Sequence, residues 1–376
     1  MKKRVLHTRL ATVVAGLVTV VVVAACSPAA PAAAPRPAVP AAKVGFSTDG
    51  MFEWQSPTQI KADLAQIRGT GVRWVRLQFD WSKLESYGPG LRAPGQGTWW
   101  AHTDTLVDAA RAQGLQILGI IDYTPKWAAV AGCDTSPQAY NGMFCAPRSA
   151  AEFGAFAARV AAHYAPKGVH TWEIWNEPNN PQFFRPVNAA NYTALLKAAY
   201  PAIHAADAHA FVVSGGLSPH GDLGRTPDDP LSPINFTKAM YTAGAKGYFD
   251  ALGHHPYPPM PHEPMSGTIG WNALMQTTWL HDIMVANGDG GKQIWGTEFG
   301  AATGASSMSV SEATQARYIS DELVQWNLWP YTGPIFVYEL RDGANDPSDW
   351  GANLGLTRVN GTPKPALSTL TSMIVR

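Results

Sequence analysis

Eight short apolar runs, separated by segments of helical length, constrain this chain more than any other feature of its sequence. The runs are Val44–Thr48, Val72–Phe79, Leu115–Ile121, Thr171–Trp175, Phe211–Ser214, Ala251–His254, Gln293–Thr297 and Ile335–Tyr338. Most are continuously apolar, the pattern of strands buried on both faces. Between them, apolar residues recur at helical spacing. Ile60, Leu64 and Ile67 do so before Gly69 and Gly71, and Phe153, Phe156 and Val160 before Pro166. Tyr192, Leu195, Leu196 and Ala199 form a third stripe, and Ile319, Leu323 and Trp326 a fourth. Such stripes read as helix faces packed on a sheet. A last helix is expected from Pro365 to Val375. Strict alternation of strand and helix implies a parallel sheet, and eight units imply that it closes. The expected fold is α/β: a single-domain (β/α)8 TIM barrel over residues 44–376, about the usual length for one. The rival, an open doubly wound sheet, lacks a Gly-x-Gly-x-x-Gly after the first run, so nucleotide binding has no support.

The residues before the barrel read differently. Lys2, Lys3, Arg4 and Arg9 form a basic stretch, followed by an apolar one from Val13 to Val23 that is short for a membrane span. Residues 1–25 are read as a signal peptide. Val23-Ala-Ala-Cys26 resembles a bacterial lipobox, which implies cleavage before Cys26 and lipidation of its thiol; ordinary secretion with an incidental Cys is the alternative. No Arg-Arg pair indicates twin-arginine export. Residues 26–43 are mostly Ser, Pro and Ala and are expected to form a stiff tether. The expected location is extracytoplasmic, anchored to the membrane by lipid, or secreted if the lipobox is unused.

Removing residues 1–25 lowers Lys plus Arg from 28 to 24 against 28 acidic residues, a net charge of −4. With no basic run outside the signal, nucleic acid is not an expected partner. Cys133 and Cys145 remain, both in one Gly- and Pro-containing loop. Outside the cytoplasm they are expected to form a disulfide, two free thiols being the alternative. Two thiols without CxxC spacing make no metal site.

In a (β/α)8 barrel the active site lies at the C-terminal ends of the strands, and polar and aromatic residues gather there. Arg76 lies in the second run and Asp80-Trp81 end it. Asp122, Tyr123 and Trp127 follow the third, Asn176-Glu177 the fourth, and His254-His255-Pro-Tyr257 the sixth. Glu298 ends the seventh, and Tyr338-Glu339 the eighth. Asp122 reads equally as a strand cap or a ligand-binding group. His254, His255, His262 and Glu263 do not match a metal spacing. Of fourteen Trp, Trp74, Trp172 and Trp295 read as packing inside strands. Trp81, Trp127, Trp271 and Trp350 are expected on the rim, where aromatic faces suit sugar rings.

Glu177 and Glu298 stand 121 residues apart at the ends of two runs. Two carboxyls across one cleft can cut an acetal: one donates a proton to the leaving oxygen, the other stabilises or attacks the anomeric carbon. Trp175-Asn-Glu-Pro178 and Thr297-Glu-Phe-Gly300 resemble the signatures of glycoside hydrolase clan A, closest in character to families 5 and 39. The resemblance spans the whole barrel. It implies that Glu177 is the general acid/base and Glu298 the nucleophile of a retaining glycosidase. It further implies that Asn176 binds the sugar 2-hydroxyl and that the charge of Arg76 keeps Glu298 ionised. Tyr257 would hydrogen-bond Glu298, and His255 would shape the subsite. Where many clan members carry Trp at the end of the eighth strand, this chain has Tyr338, which would serve as platform. Retention implies carboxyls about 5–5.5 Å apart.

The expected protein is a monomeric retaining glycoside hydrolase needing no metal or organic cofactor. It would act within β-linked glycans, for the rim aromatics suggest an open cleft. A lipid-anchored carbohydrate-binding protein without turnover is the main alternative, and a degenerate barrel serving as scaffold is a third. The loops at 128–148, 217–233 and 258–271 would set the sugar, and they carry no readable code.

Overall fold

The computed structural model describes residues 38–48, 50–90, 98–133, 142–222, 229–257 and 272–375. The signal peptide, Cys26, most of the tether, His262, Glu263 and Trp271 lie outside them, as do the whole loop at 258–271 and parts of the other two long loops.

Eight parallel strands close into one barrel in chain order. They are β1 (Val44–Ser47), β2 (Trp74–Asp80), β3 (Gln116–Asp122), β4 (Thr171–Asn176), β5 (Phe211–Gly216), β6 (Ala251–His254), β7 (Gln293–Phe299) and β8 (Thr332–Tyr338). Each of the eight apolar runs overlaps one, their ends differing by up to three residues. The barrel shuts where Gly45 of β1 lies beside Phe336 of β8.

Around it run α1 (Pro57–Gly69), the one-turn α2 (Trp81–Leu84), α3 (Thr98–Ala112), α4 (Ala150–Tyr164), α5 (Ala189–Ala206), α6 (Pro233–Thr242), α7 (Ala273–Ala286), α8 (Glu312–Leu328) and α9 (Pro365–Met373). Their starts follow capping chemistry. Ser56 accepts from the backbone N–H of Gln59 with Pro57 in the first turn, Asn188 accepts from two N–H groups, and Ser311 caps α8. The stripes read from sequence are buried: Ile60, Leu64 and Ile67 on α1, and Phe153, Phe156 and Val160 on α4. Between sheet and helices, Phe79 meets Tyr164 and Trp172 edge-on, with ring centroids 4.8 and 5.1 Å apart. Fully burying such a side chain contributes about 1.5–3 kcal/mol. Among the described residues, no helix is long and apolar enough to cross a membrane.

The barrel interior has two layers. Leu118, Val213, Ala251, Trp295 and Phe336 form a separate apolar cluster, joined by half-buried Trp74 and Phe211. One or two residues further along the strands come Ser47, Arg76, Glu173 and Thr297, polar or charged and all fully buried.

One boundary needs correcting. Residues 38–43 were assigned to the tether, but Val39–Pro40 pair in parallel with Ile374–Val375, and Ala41–Lys43 form a 3-10 turn. Val39 and Ala41 are buried. Two apolar residues at the edge of a Pro/Ala stretch find a sheet partner and a cover, so the packed body begins before β1.

Candidate active site

The two layers meet at Arg76. Its Nε donates to Glu173 Oε2 at 2.6 Å, Nη1 to Glu298 Oε1 at 2.7 Å and to Ser47 Oγ at 3.1 Å, and Nη2 to Asn176 Oδ1 at 3.0 Å. Three strands, β1, β4 and β7, are thereby tied to one guanidinium on a fourth, β2. Glu173 takes two further donors, the Gly216 N–H at 2.8 Å and the Thr297 hydroxyl at 2.9 Å. A buried charge is tolerated where it is paired and its remaining sites are bonded, and both ions meet that condition.

Two departures from regular strand geometry bring the functional residues inward. At the end of β4, Trp175 adopts φ 74° and Glu177, the residue just past the strand, φ 44°, left-handed values that cost about 1–3 kcal/mol each for such residues. Trp175 therefore packs on Phe153 of α4 and donates its indole N–H to Phe183 O at 2.9 Å, while the next residue, Asn176, reaches Arg76 inside. In β7 the pairing register with β8 shifts between Gly296 and Phe299. Two successive residues, Thr297 and Glu298, then both bond within the barrel, which strict alternation forbids.

Glu298 is held at both oxygens: Oε1 by Arg76, and Oε2 by the Tyr257 hydroxyl at 2.8 Å. Burial foremost, then the nearby carboxyl groups of Glu298 and Glu177, push the Tyr257 phenol well above its ordinary value. It stays a neutral donor. Glu177 is also held at both oxygens: Oε1 meets His255 Nδ1 at 3.0 Å, and Oε2 accepts from Asn180 Nδ2 at 2.8 Å. His255 Nδ1 lies 3.6 Å from Glu298 Oε2 as well. Its ring is fully buried and packs on Gly216, where any Cβ would collide with it and with Thr297.

The electrostatics of Glu177 and His255 belong to the pair. Burial pushes the Glu177 carboxyl up, but the hydrogen bond and charge of His255 and the amide of Asn180 outweigh it, leaving the group below the ordinary carboxylate range. Burial pulls His255 down; the facing carboxylates of Glu298 and Glu177 override it, against the charge of Arg76, and the net direction is up. Both directions favour a proton between them resting on the ring while both carboxylates are present.

An oxygen of Glu177, one of Glu298 and a nitrogen of His255 all lie within 4.8 Å of one another. Three such donors suit a cation in number. The guanidinium against Glu298 and the His255–Glu177 hydrogen bond both oppose a divalent ion there.

The other expected residues fall into three groups. Tyr338 ends β8 half-buried, near enough to Tyr257 to influence it, and Trp350 lies 6.3 Å from the Tyr257 ring. His254 does not join the site: its Nε2 bonds Ala273 O at 2.9 Å, and burial pulls the ring down to about 4. Asp122 accepts from Gln78 at 3.0 Å.

Trp81 is a correction. Expected on the rim, it is fully buried, stacked on Phe156 at 5.3 Å, with its indole N–H on Glu85; no sugar can reach that ring. Trp127 is half-buried against Trp81, its N–H on Glu85 O at 2.7 Å and the Arg148 guanidinium over its ring. Both belong to packing around Glu85. Cys133 and Cys145 form a disulfide.

Glu173 and Asn180 were missed. A lone acid inside a strand buried on both faces was a signal, for it needs a cation, and Arg76 inside β2 is the matching exception.

Comparison with known proteins agrees with this architecture. Among solved structures, a family 39 glycoside hydrolase from Bacteroides cellulosilyticus WH2 aligns with TM-score 0.63 and 21% identity, over 90% of this chain and 64% of that one. The chain thus spans under two thirds of that relative. A monomeric beta-xylosidase from Caulobacter crescentus CB15 gives TM-score 0.64 and 17% identity, over 89% of this chain and 69% of that one. A family 128 (subgroup II) endo-beta-1,3-glucanase from Sorangium cellulosum gives 0.52 and 18%, over 88% and 98%. At these identities the likeness is one of fold. No curated protein matches the sequence. The model of the cellulase family, glycosyl hydrolase family 5, matches residues 38–333, ending inside β8. That span holds both glutamates and Arg76 with its partners Ser47, Glu173 and Asn176, and by it the chain belongs to glycosyl hydrolase family 5.

Proposed function

We propose that this protein is a retaining glycoside hydrolase that cuts β-linked glycans within the chain by double displacement. The observation that carries the reading is the pair itself: an oxygen of Glu177 lies within 4.8 Å of an oxygen of Glu298. Inverting enzymes hold their carboxyls about 6.5–9.5 Å apart to seat a water, and retaining ones about 5–5.5 Å apart.

The roles follow from the partners. Glu298 is aimed by two donors on opposite oxygens and attacks the anomeric carbon. Glu177 protonates the leaving oxygen, taking the proton it shares with His255 across the 3.0 Å contact. Once Glu298 is esterified, its negative charge no longer faces His255. Glu177, now ionised, removes a proton from the water that releases the sugar. Asn176 spends its carbonyl on Arg76, so its NH₂ is left to donate to a sugar hydroxyl. Tyr338 and Trp350, beside Tyr257, supply aromatic faces.

Reducing-end release is the test, across β-glucans, xylans, mannans and bacterial envelope glycans, with Glu298→Gln alongside. Release by the wild type alone supports the hydrolase. Binding without release supports a carbohydrate-binding protein instead. The first-formed anomer, read by NMR, decides retention against inversion. Monosaccharide as sole product from the first minutes rules out endo action. We also infer a lipid anchor at Cys26, from the lipobox resemblance; Cys26→Ala should then shift the protein from the membrane to the soluble fraction.

A further inference from the structure

After β4 the chain turns tightly on itself. The Asn180 N–H donates to Glu177 O at 2.9 Å, and the N–H groups of Phe183 and Phe184 both donate to Asn180 O at 3.0 Å. Asn179 clamps this turn to the loop after β5. It accepts from the Ser218 N–H at 2.8 Å and donates to Ser218 O and Leu231 O, each at 2.8 Å. Within that frame the Asn180 side chain is buried, and its orientation is fixed. Its Oδ1 accepts from the Gln182 N–H at 3.0 Å, and a backbone N–H can only donate. The NH₂ must therefore be the group facing Glu177 Oε2, at 2.8 Å.

The two oxygens of Glu177 are thereby made unequal. Oε2 receives a donor that never gives up its proton. Oε1 faces His255 Nδ1 at 3.0 Å, a group that can. A donor stabilises the oxygen bearing negative charge and opposes protonation there, so the proton of the acid form belongs on Oε1. A hydrogen bond onto an ionised group is also stronger than one between neutral groups, and this one lies between two buried side chains. Burial raises the Glu177 carboxyl, while His255 and then Asn180 bring it down. Of the other charged and titratable groups nearby, Glu298 and Tyr257 share the cleft, and Arg76 is engaged by Glu298. His220, exposed on the loop after β5, acts through its charge.

We propose that Asn180 is a positioning residue for the proton transfer: it holds Glu177 by Oε2 and leaves Oε1, on the His255 side, to carry the proton to the leaving oxygen. The role rests on the glycosidase reading above. In the first step the O–H bond at Oε1 breaks as the leaving oxygen takes the proton and Glu298 takes the anomeric carbon. Glu177 becomes the carboxylate that Asn180 stabilises. In the second step the attacking water gives its proton back to Oε1, its oxygen joins the anomeric carbon, and the bond to Glu298 breaks.

Asn180→Asp isolates the donor. It keeps the shape and the oxygen that accepts from Gln182, and sets a second carboxyl against Oε2 in place of the NH₂. Like charges in contact raise a carboxyl's pKa, and Glu177 must be protonated to act as the acid. Activity is lost as pH rises through that titration, so its basic limb should move up. Wild type and variant are labelled with carboxyl-13C glutamate, the Glu177 resonance being identified by its loss in Glu177→Gln. In Asn180→Asp the Glu177 midpoint should rise by about one pH unit or more, and the basic limb of kcat/KM on glycan should follow. At its optimum the variant should lose about tenfold on glycan and less than about twofold on dinitrophenyl glycosides of the same sugar, which need no proton. Should Asn180→Asp not fold, Asn180→Leu removes the donor without adding charge, and should raise the Glu177 midpoint by a smaller step. An unmoved midpoint, or equal losses on both substrate types, overturns the proposal. Reducing-end release by the wild type reports separately. A raised midpoint without any release keeps the hold on Oε2 and removes the glycosidase reading; release with an unmoved midpoint does the reverse.

Discussion

The lower and upper halves of this barrel's interior are built from the same eight strands, yet they solve opposite problems. Below, Leu118, Val213, Ala251, Trp295 and Phe336 fill space and need only shape. Above, Arg76 ties Glu173, Glu298 and Asn176 together, and each contact depends on the others. The lower half stabilises by excluding water. The upper half keeps ions out of water and is held by mutual satisfaction, so losing one member strands the rest.

The largest expected effects lie above. Glu298→Ala should lower turnover by at least about 10⁴-fold with the fold intact, and azide should partly restore it as a glycosyl azide of inverted configuration. A fully active variant would end the nucleophile assignment. Glu177→Ala should cost natural glycans about 10²–10⁴-fold but spare substrates with activated leaving groups, which need no proton. Equal losses on both substrate types would contradict the acid role. Arg76→Met should remove activity and destabilise by about 3–5 kcal/mol in urea melts, because Glu173 and Glu298 are left buried without their cation. A variant of wild-type stability would show the upper half to be less interdependent than its bonds imply.

The lower half should answer differently. Leu118→Ala should cost about 2–5 kcal/mol of stability and leave kcat of the folded protein unchanged. A change in kcat would couple the two layers.

The smallest expected effect comes from a buried acid elsewhere. Glu322 on α8 is fully buried, and neither oxygen has a hydrogen-bond partner. Burial alone pushes it well above its ordinary 4.5. The folded state thus keeps a proton that the unfolded state releases, so stability falls as pH rises above about 4.5 toward the folded value. Glu322→Gln removes this dependence and should stabilise by about 1–3 kcal/mol at neutral pH, with the gain vanishing near pH 4. A constant gain across that range would assign the effect to packing. Glu173, equally buried but holding three donors, marks the contrast.

Much of the lower half and the outer layer was legible in the sequence, because apolar runs and stripes report burial directly. So was the presence of Glu177 and Glu298 at strand ends. What was not legible arises where backbone periodicity breaks. No pattern shows that Trp175 is left-handed, or that β7 shifts register so that Thr297 and Glu298 face the same way. Trp81 was misplaced for a related reason. A Trp after a strand end looks like rim, and only the turn of α2 carries it under Phe156.

The pairing of Val39–Pro40 with Ile374–Val375 makes the two ends of the packed body hydrogen-bonded neighbours. A few added residues could join them, and the chain could be reopened at an outer loop without unpicking any barrel strand. The order in which the eight units are synthesised would then become a free variable. Folding that starts at β1 and folding that starts at β5 could be compared in two proteins with the same finished interior.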